Sequence, residues 1–333
     1  MPQEVGKQYS ELLRKYVAHK DETDLYAAQQ VSRKFIEKKI SPEEVISLHK
    51  NTVEEIFPDL APSIGPSYDF LIEIMIHYGL ALMEHQSLLR KQEAMQIEMD
   101  VAVKVQDMLL ETSVPDVPGL DIGMVSKPAK NMSGDYVYFI EQGHEEACVA
   151  VADVMGKGLP AALCMSMIKF GMDSLRDKAT EPKHVLEVIN QIVEKSMDDS
   201  MFISMFYGKY DGNTSKFTYG SAGHEPAILY RAAEDRFVEL DAKGLLLGIR
   251  KDVVFQENSV EMLPGDFIVM LTDGVTEGRN AEGFIDEEVI LKMLREMKDK
   301  PAQQITDYLY TELFKMQNYM LHDDFTLVLF KKE

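Results

Sequence analysis

The sequence predicts an α+β protein in which an all-helical domain and a long linker helix precede a domain of strands and paired helices. Residues 1–118 carry apolar side chains mainly at helical spacing, whereas the remainder alternates β-branched and aromatic runs with turn residues. Because 333 residues exceed one ordinary core, we predict three parts. They are a helical partner-binding and dimerisation domain (1–84), a helical linker (85–118) and a mixed domain (119–333).

The first 57 residues are predicted to be helical throughout. Apolar side chains recur at helical spacing around Leu12 and again around Val31. Ser41 and Pro42, followed by two glutamates, are typical of a helix start, because Ser caps free N–H groups and Pro fits the first turn. The proline-containing stretch PDLAPSIGPS then breaks the helical pattern.

Residues 67–112 form one predicted helix, since they contain no proline and a single glycine, Gly79. These 46 residues would span ~69 Å, which is long for a globular helix. Steps of three and four residues from Leu71 trace a heptad seam with polar members at His85, Gln92 and Gln106. We expect this coiled-coil-like helix to pair marginally with its copy in a homodimer. A surface helix packed on its own domain is the alternative.

After Gly119 the pattern changes to short strands and consecutive pairs of helices. Strands are predicted for YVYFI, CVAVADV, MFISMFYGKY, KFTYGSA, AILYR, FIVMLTDG and FTLVLF. Helices are predicted over about 159–177, 182–197, 286–298 and 301–317. Strands in runs with helices in pairs indicate helices layered on sheets.

Composition limits the possible functions. A net charge of −21 argues against a nucleic-acid-binding protein and fits one that binds metal cations or basic partners, although charge that only maintains solubility explains it equally well. Cys148 and Cys164 lie in apolar runs, which predicts core residues in a reducing compartment. The longest apolar stretch, residues 70–83, is too short for the ~20 residues of a membrane span, and no signal peptide is visible. We therefore expect a cytoplasmic protein without a membrane partner.

Acidic residues stand at the ends of several predicted strands. Asp153 and Asp273 end strands, and Asp135 and the pair Asp323–Asp324 precede them. Any one of these is a common turn residue, but aspartates gathered at one end of a sheet repel each other unless a cation lies between them. Hard oxygen ligands suit Mg²⁺ or Mn²⁺. The glycines at positions 156 and 158 would allow the backbone to approach closely.

Seven ordered blocks resemble the PPM (PP2C-like) serine/threonine phosphatases, in particular the bacterial SpoIIE-like branch. The resemblance covers roughly residues 119–332 and implies an α-β-β-α sandwich. The blocks are MSGDYVYF, VADVMGKGLPAAL, MFISMFYGKYD, TYGSAGHEPAILY, GLLLGI, LPGDFIVMLTDGVTEGRN and HDDFTLVLF.

The resemblance implies a catalytic centre with two ions, Mn²⁺ or Mg²⁺. Asp153 matches the ligand that bridges both ions, and the carbonyl of Val154 matches the adjacent ligand. The further aspartates that match ligands are Asp135, Asp273 and Asp323. Asp324 is a weaker candidate because the family often has Asn there, and Thr326 is expected to support the strand. Tyr138 and His322 stand where this branch often has acids, which leaves a third metal in doubt.

The resemblance also implies a function. The expected reaction is dephosphorylation of a phosphorylated STAS-domain anti-anti-sigma protein, which activates a general stress sigma factor. An RsbT-like activator is expected on the N-terminal domain. Gly223-His224 could place a polar group near the leaving oxygen, although we favour a structural turn. A non-catalytic dimeric adaptor with a degenerate phosphatase fold is the alternative function.

Overall fold

A computed structural model describes residues 3–59, 61, 64–143, 145–156, 159–175, 181–196, 201–280 and 283–333. The chain divides into two compact units, Met1–Glu98 and Met99–Glu333. The division falls inside the longest helix, so the last residues of that helix belong to the second unit. The boundaries 1–84, 85–118 and 119–333 remain predictions.

The N-terminal unit is built from helices, as its apolar spacing predicts. Its helices are α1 (Gln3–His19), α2 (Glu22–Glu37), α3 (Pro42–Ile56) and the first part of α4 (Ile64–Leu110). The core is small: Val5, Val31 and Phe35 are buried, and partly buried side chains of α1 and α3 pack around them. Helix α3 begins at the predicted position with Pro42 in its first turn, but Ser41 makes no side-chain capping bond.

Helix α4 confirms the prediction of one long uninterrupted helix, with 47 residues. Its seam is exposed over much of its length, and the exposed large apolar members are Leu71, Ile74, Tyr78, Leu88, Met95 and Met99. Gln106, predicted as a polar member of this seam, is only 4% exposed in the single chain. It is buried within the second unit, where it makes the contacts described below.

The second unit contains two five-stranded antiparallel sheets. One has the order β1-β12-β9-β6-β7 and the other the order β2-β3-β4-β5-β8, and a short β10–β11 hairpin is separate. The strands are β1 (Leu120–Lys127), β2 (Asp135–Gln142), β3 (Glu146–Val154), β4 (Ile203–Asp211), β5 (Lys216–Ala222), β6 (Ala227–Arg231), β7 (Arg236–Leu240), β8 (Asn258–Glu261), β9 (Phe267–Leu271), β10 (Arg279–Asn280), β11 (Gly283–Phe284) and β12 (Phe325–Lys332).

Helices cover the outer faces of both sheets. They are α5 (Leu159–Leu175), α6 (Pro182–Ser196), the single turn α7 (Asp273–Thr276), α8 (Glu287–Met297) and α9 (Ala302–Met316). All four helices predicted for this domain are therefore present, although positions 176, 177 and 197 lie outside the described residues.

Three apolar layers hold the second unit together. The middle layer joins the inner faces of the two sheets and includes Val137, Val151, Met270 and Val328. A second layer packs α5 and α6 on the sheet that begins with β2, and a third packs α8 and α9 on the other sheet. This arrangement is the predicted α-β-β-α sandwich. Burial of these layers is the main favourable term for folding.

Two expectations from composition can be compared with the structure. Cys148 and Cys164 are both buried, as predicted for core residues. Among the helices of the described residues, none combines the length and apolarity needed to cross a membrane.

Candidate metal centre

Strand register brings two of the predicted ligands together. In the antiparallel pair β2–β3, Asp135 lies directly opposite Asp153. Side chains alternate between the faces of a strand, so Asp135 shares a face with Val137, and Asp153 shares one with Val151. Both valines belong to the layer between the sheets. The two carboxylates therefore lie at the end of that inner layer.

The opposite sheet contributes threonines at the same end. The Thr272 hydroxyl donates a hydrogen bond to Oδ2 of Asp135 at 2.7 Å and accepts one from the backbone N–H of Thr326 at 3.2 Å. The hydroxyls of Ser126 and Thr326 are 3.1 Å apart. This polar chain joins the sheets and agrees with the supporting role predicted for Thr326.

The environment of Asp135 is unfavourable for an isolated charge. The residue is only 4% exposed, and burial raises the pKa of its carboxyl well above the ordinary value. Hydrogen bonds from Thr272 and Thr326 lower this pKa, whereas the charges of Asp153 and Asp324 raise it further. A divalent cation would remove this repulsion, and carboxylate oxygens are the ligands that Mg²⁺ and Mn²⁺ prefer. The donor set therefore fits the expected metal.

Asp324 has a different role from the weak ligand candidate suggested by the sequence. Its Oδ1 accepts the backbone N–H of Ala129 at 2.7 Å, and its Oδ2 accepts that of Gly134 at 2.5 Å. The residue is buried, whereas its neighbour Asp323 is exposed. Asp324 thus holds the loop that leads into Asp135. The spacing in the sequence gives one indication of this role. Asp324 lies just before β12 and two residues before Thr326, so it falls on the same inward-facing side as Thr326.

Gly134 allows several oxygen atoms to approach one point. A Cβ atom at this position would lie 3.4 Å from each of three oxygens: Oδ1 of Asp153, Oδ2 of Asp324 and the carbonyl of Gly156. The carbonyl of Gly134 also accepts the N–H of Val154 at 3.0 Å. Gly156 has a φ of +119°, a conformation that favours glycine. Gly158 lies outside the described residues.

Asp273 and Asp323 line one cavity of about 230 Å³. Asp273 begins α7 directly after β9, and Asp323 precedes β12. Gly274 is required here, since a Cβ atom at that position would be 2.0 Å from the carbonyl oxygen of Asp324. The backbone of α7 therefore lies against the start of β12, which holds both carboxylates beside the cavity.

The structure thus groups the predicted ligands in two sets. Asp135 and Asp153 lie together near Asp324, and Asp273 and Asp323 share a cavity. Within the part of the chain that the structure describes, no three or more His, Cys, Asp or Glu side chains are arranged to hold a metal ion. The ligand roles of Asp135, Asp153, Val154, Asp273 and Asp323 therefore remain predictions.

The two positions that depart from the acidic pattern have other surroundings. Tyr138 is buried against the α5–α6 layer, and its hydroxyl donates a hydrogen bond to Asp173 on α5. His322 is exposed and lines the cavity with Asp273 and Asp323.

His224 is a structural residue, as favoured from the sequence. Its Nε2 donates to the carbonyl of Leu271 at 3.1 Å. Because burial lowers the pKa of the ring to about 4, the imidazole is neutral at neutral pH, and its Nδ1 accepts from the Ser204 hydroxyl at 2.7 Å. Ser204 pairs with Asp153 across β3 and β4. The imidazole therefore connects β4, the strand beside Asp153, to the end of β9, two residues before Asp273.

Gln106 contacts the same region from α4. Its Nε2 donates to the carbonyl of Ser133 at 2.9 Å and lies 3.6 Å from the sulfur of Met165 on α5. Ser133 directly precedes Gly134 and Asp135. The end of the long helix is therefore hydrogen-bonded to the loop that carries a predicted ligand.

Comparisons with known proteins agree with both halves of this architecture. The family model described as Stage II sporulation protein E (SpoIIE) matches residues 143–333, and the model described as Phosphoserine phosphatase RsbU, N-terminal domain, matches residues 7–81. Phosphoserine phosphatase RsbU of Bacillus subtilis (strain 168) is 45% identical over 329 residues, which are 99% of this chain and 98% of the relative. This chain belongs to the RsbU family of phosphoserine phosphatases.

Solved structures share the fold of this RsbU-family phosphatase. The SiaA-PP2C domain of Pseudomonas aeruginosa has a TM-score of 0.63 at 19% identity and covers 73% of this chain and 99% of its own. The catalytic domain of the serine/threonine phosphatase PstP, solved with two manganese ions, has a TM-score of 0.50 at 14% identity and covers 64% of this chain and 97% of its own. The predicted PP2C-like fold is therefore confirmed.

The two adjacent aspartates of the RsbU-family phosphatase should respond differently to substitution. Asp324→Asn leaves one acceptor oxygen for two backbone N–H groups, so we expect a loss of about 1–3 kcal/mol in the free energy of unfolding. Asp323→Asn keeps an oxygen for the N–H of Asp324 and should change stability by less than about 0.5 kcal/mol. Urea denaturation without metal measures both. Equal losses would contradict the role assigned to Asp324.

His224 should make stability depend on pH. Burial lowers its pKa from 6.5 to about 4, so between these values the unfolded chain binds a proton that the folded chain does not. Stability from this group is complete above pH 6.5 and falls as the pH drops toward 4, by about 1–3 kcal/mol. Urea denaturation across this range, compared with His224→Gln, isolates the effect. Identical pH profiles for the two proteins would show that His224 does not contribute.

Proposed function

We propose that this phosphatase uses two divalent ions, Mn²⁺ or Mg²⁺, to remove phosphate from a phosphoserine of a STAS-domain anti-anti-sigma protein, and that this activates a general stress sigma factor. The proposed ligands are Asp135, Asp153, the carbonyl of Val154, Asp273 and Asp323. The observation that carries the proposal is the register pairing of Asp135 with Asp153 beside Asp324 at the end of the sandwich. A bound cation would relieve the repulsion within such a group of carboxylates.

The protein supplies a preorganised site. When bound, the ions would hold the phosphate and lower the pKa of a coordinated water to ~7, which yields a nucleophile at neutral pH. Asp135 is kept in position by Thr272 from the opposite sheet, and the loop before it by Asp324. Because these residues lie on or next to strands, they are oriented before substrate arrives.

The chain's own thiols are unsuited to act as nucleophiles. Cys148 and Cys164 are buried in the outer core, and burial raises the pKa of Cys164 to about 12. A buried protonated thiol can neither reach nor attack phosphorus. Buried thiols also suit the reducing cytoplasm, where we propose that the phosphatase acts.

We assign residues 1–84 to binding of an RsbT-like activator and α4 to a homodimer. Supporting features of the N-terminal unit are exposed apolar side chains on α2, namely Leu25, Tyr26 and Ile36. The exposed apolar seam of α4 supports pairing with a second copy, since an isolated helix would leave this stripe in water. Activator binding would strengthen that pairing and promote the active state of the metal site.

Asp153→Asn tests the catalytic centre. Removing the ligand charge shared by both ions should reduce Mn²⁺-dependent hydrolysis of a generic phosphomonoester to near background, while circular dichroism shows the fold intact. Asp273→Asn should behave similarly. Full activity of the Asp153→Asn variant at saturating Mn²⁺ would exclude the proposed bridging role. A wild-type chain with no hydrolysis under these conditions would favour a non-catalytic adaptor.

Gln92→Leu tests the control proposed for α4. Leu strengthens a heptad seam relative to Gln, so the variant should dimerise more tightly, show higher basal activity without activator and reach half-maximal activity at lower Mn²⁺ concentration. Gln106, bonded to Ser133 beside Asp135, supports such a connection. Analytical ultracentrifugation measures the dimerisation, and steady-state kinetics measure the basal rate and its Mn²⁺ dependence. Tighter dimers with unchanged rate and metal dependence would make the helix a passive tether.

A further inference from the structure

The cavity beside Asp273 and Asp323 contains hydrogen-bond donors that the proposed metal site does not use. Besides these two carboxylates it is lined by a third, that of Glu277, and by three side chains that can donate hydrogen bonds, Arg279, Gln317 and His322. Each of these three side chains carries N–H groups. The cavity thus combines two predicted metal ligands with donors suited to an anion.

Gln317 provides the observation that points to a ligand. It follows α9 as its C-terminal cap and is 3% exposed, yet its Nε2 has no hydrogen-bond partner among the described residues. A buried donor without an acceptor lowers stability, so such a group needs an explanation. Gly278 packs directly against this amide, because a Cβ atom there would lie only 3.1 Å from Nε2. An acceptor that enters the cavity would satisfy the amide.

In the described part of the chain, Arg279 is held by contact with an aromatic ring and not by its hydrogen-bond donors. It lies on β10, and its guanidinium carbon is 4.5 Å from the centre of the Phe284 ring on the paired strand β11. Stacking on a ring occupies the flat face of the guanidinium and leaves its N–H edge available. In the described part of the chain no carboxylate forms an ion pair with Arg279.

We propose that Arg279 and Gln317 form a subsite for the phosphoryl oxygens of the substrate, a phosphate monoester dianion; this rests on the proposed function. A planar guanidinium and an amide N–H are both suited to an oxyanion. The carboxylates of Asp273 and Asp323 repel an anion unless they hold cations. The subsite therefore binds phosphate only after the metal is bound. The alternative is that Arg279 merely stabilises the hairpin through Phe284.

Steady-state kinetics test the subsite. The substrate is p-nitrophenyl phosphate with Mn²⁺, and inorganic phosphate is the competitive inhibitor. Arg279→Gln should raise both KM and the inhibition constant of phosphate about ten- to a hundredfold, the loss expected for a charge-assisted hydrogen bond. Gln317→Leu should change both constants in the same direction, by about three- to tenfold. The Mn²⁺ concentration for half-maximal activity should stay unchanged. The matched control is Arg236→Gln, which removes the same charge from a surface pair with Glu234.

Equilibrium dialysis with labelled phosphate gives a readout independent of turnover. Wild-type protein should bind phosphate with Mn²⁺ but not without it, and Arg279→Gln should lose this binding. The subsite would be overturned if the wild type is active but Arg279→Gln leaves KM and phosphate binding unchanged. That result would leave the proposed function intact. A wild type that binds phosphate equally without Mn²⁺ would also overturn it. A wild type without Mn²⁺-dependent hydrolysis would overturn the proposed function and the subsite together.

Discussion

The hydrogen bond from Thr272 to Asp135 is the contact on which the geometry of the candidate centre depends. It crosses from one sheet to the other at the end of the apolar layer, where water is largely excluded. Even with hydrogen bonds from two threonine hydroxyls, burying a carboxylate beside two acidic neighbours lowers stability, and the apolar packing of the sandwich compensates for this loss. The acidic site therefore lowers the stability of the fold, and the apolar core makes that loss tolerable.

The fold was predictable where buried elements give the sequence a clear apolar pattern. Strands with strongly apolar runs, such as β3 and β12, were identified, and so were the four long helices of the sandwich. The strands absent from the prediction are β1, β7 and β8, which lie at the edges of the two five-stranded sheets, and the short strands β10 and β11 of the separate hairpin. Edge strands face partners on one side only and carry more polar residues, so the apolar pattern is weaker there.

The candidate site was predictable in part, for a related reason. Aspartates at strand ends marked Asp135 and Asp153, and antiparallel register then placed them opposite each other. The bracing role of Asp324 and the orphan amide of Gln317 depend on which backbone groups happen to face these side chains. Such contacts join residues far apart in sequence, so neither spacing nor composition carries a signal for them.

Helix α4 has a further property that follows from its unbroken run. Gln106 lies on the same stripe as the exposed seam, and an α-helix turns by about 100° per residue. Inserting one residue between them would therefore rotate the seam away from the amide that meets Ser133, whereas seven residues would restore the alignment to within ~20°. The face of the helix on which the seam lies, relative to Gln106, is therefore more sensitive to insertions than the length of the linker is. Insertions or deletions of whole heptads would preserve the alignment of the seam with Gln106 along the helix.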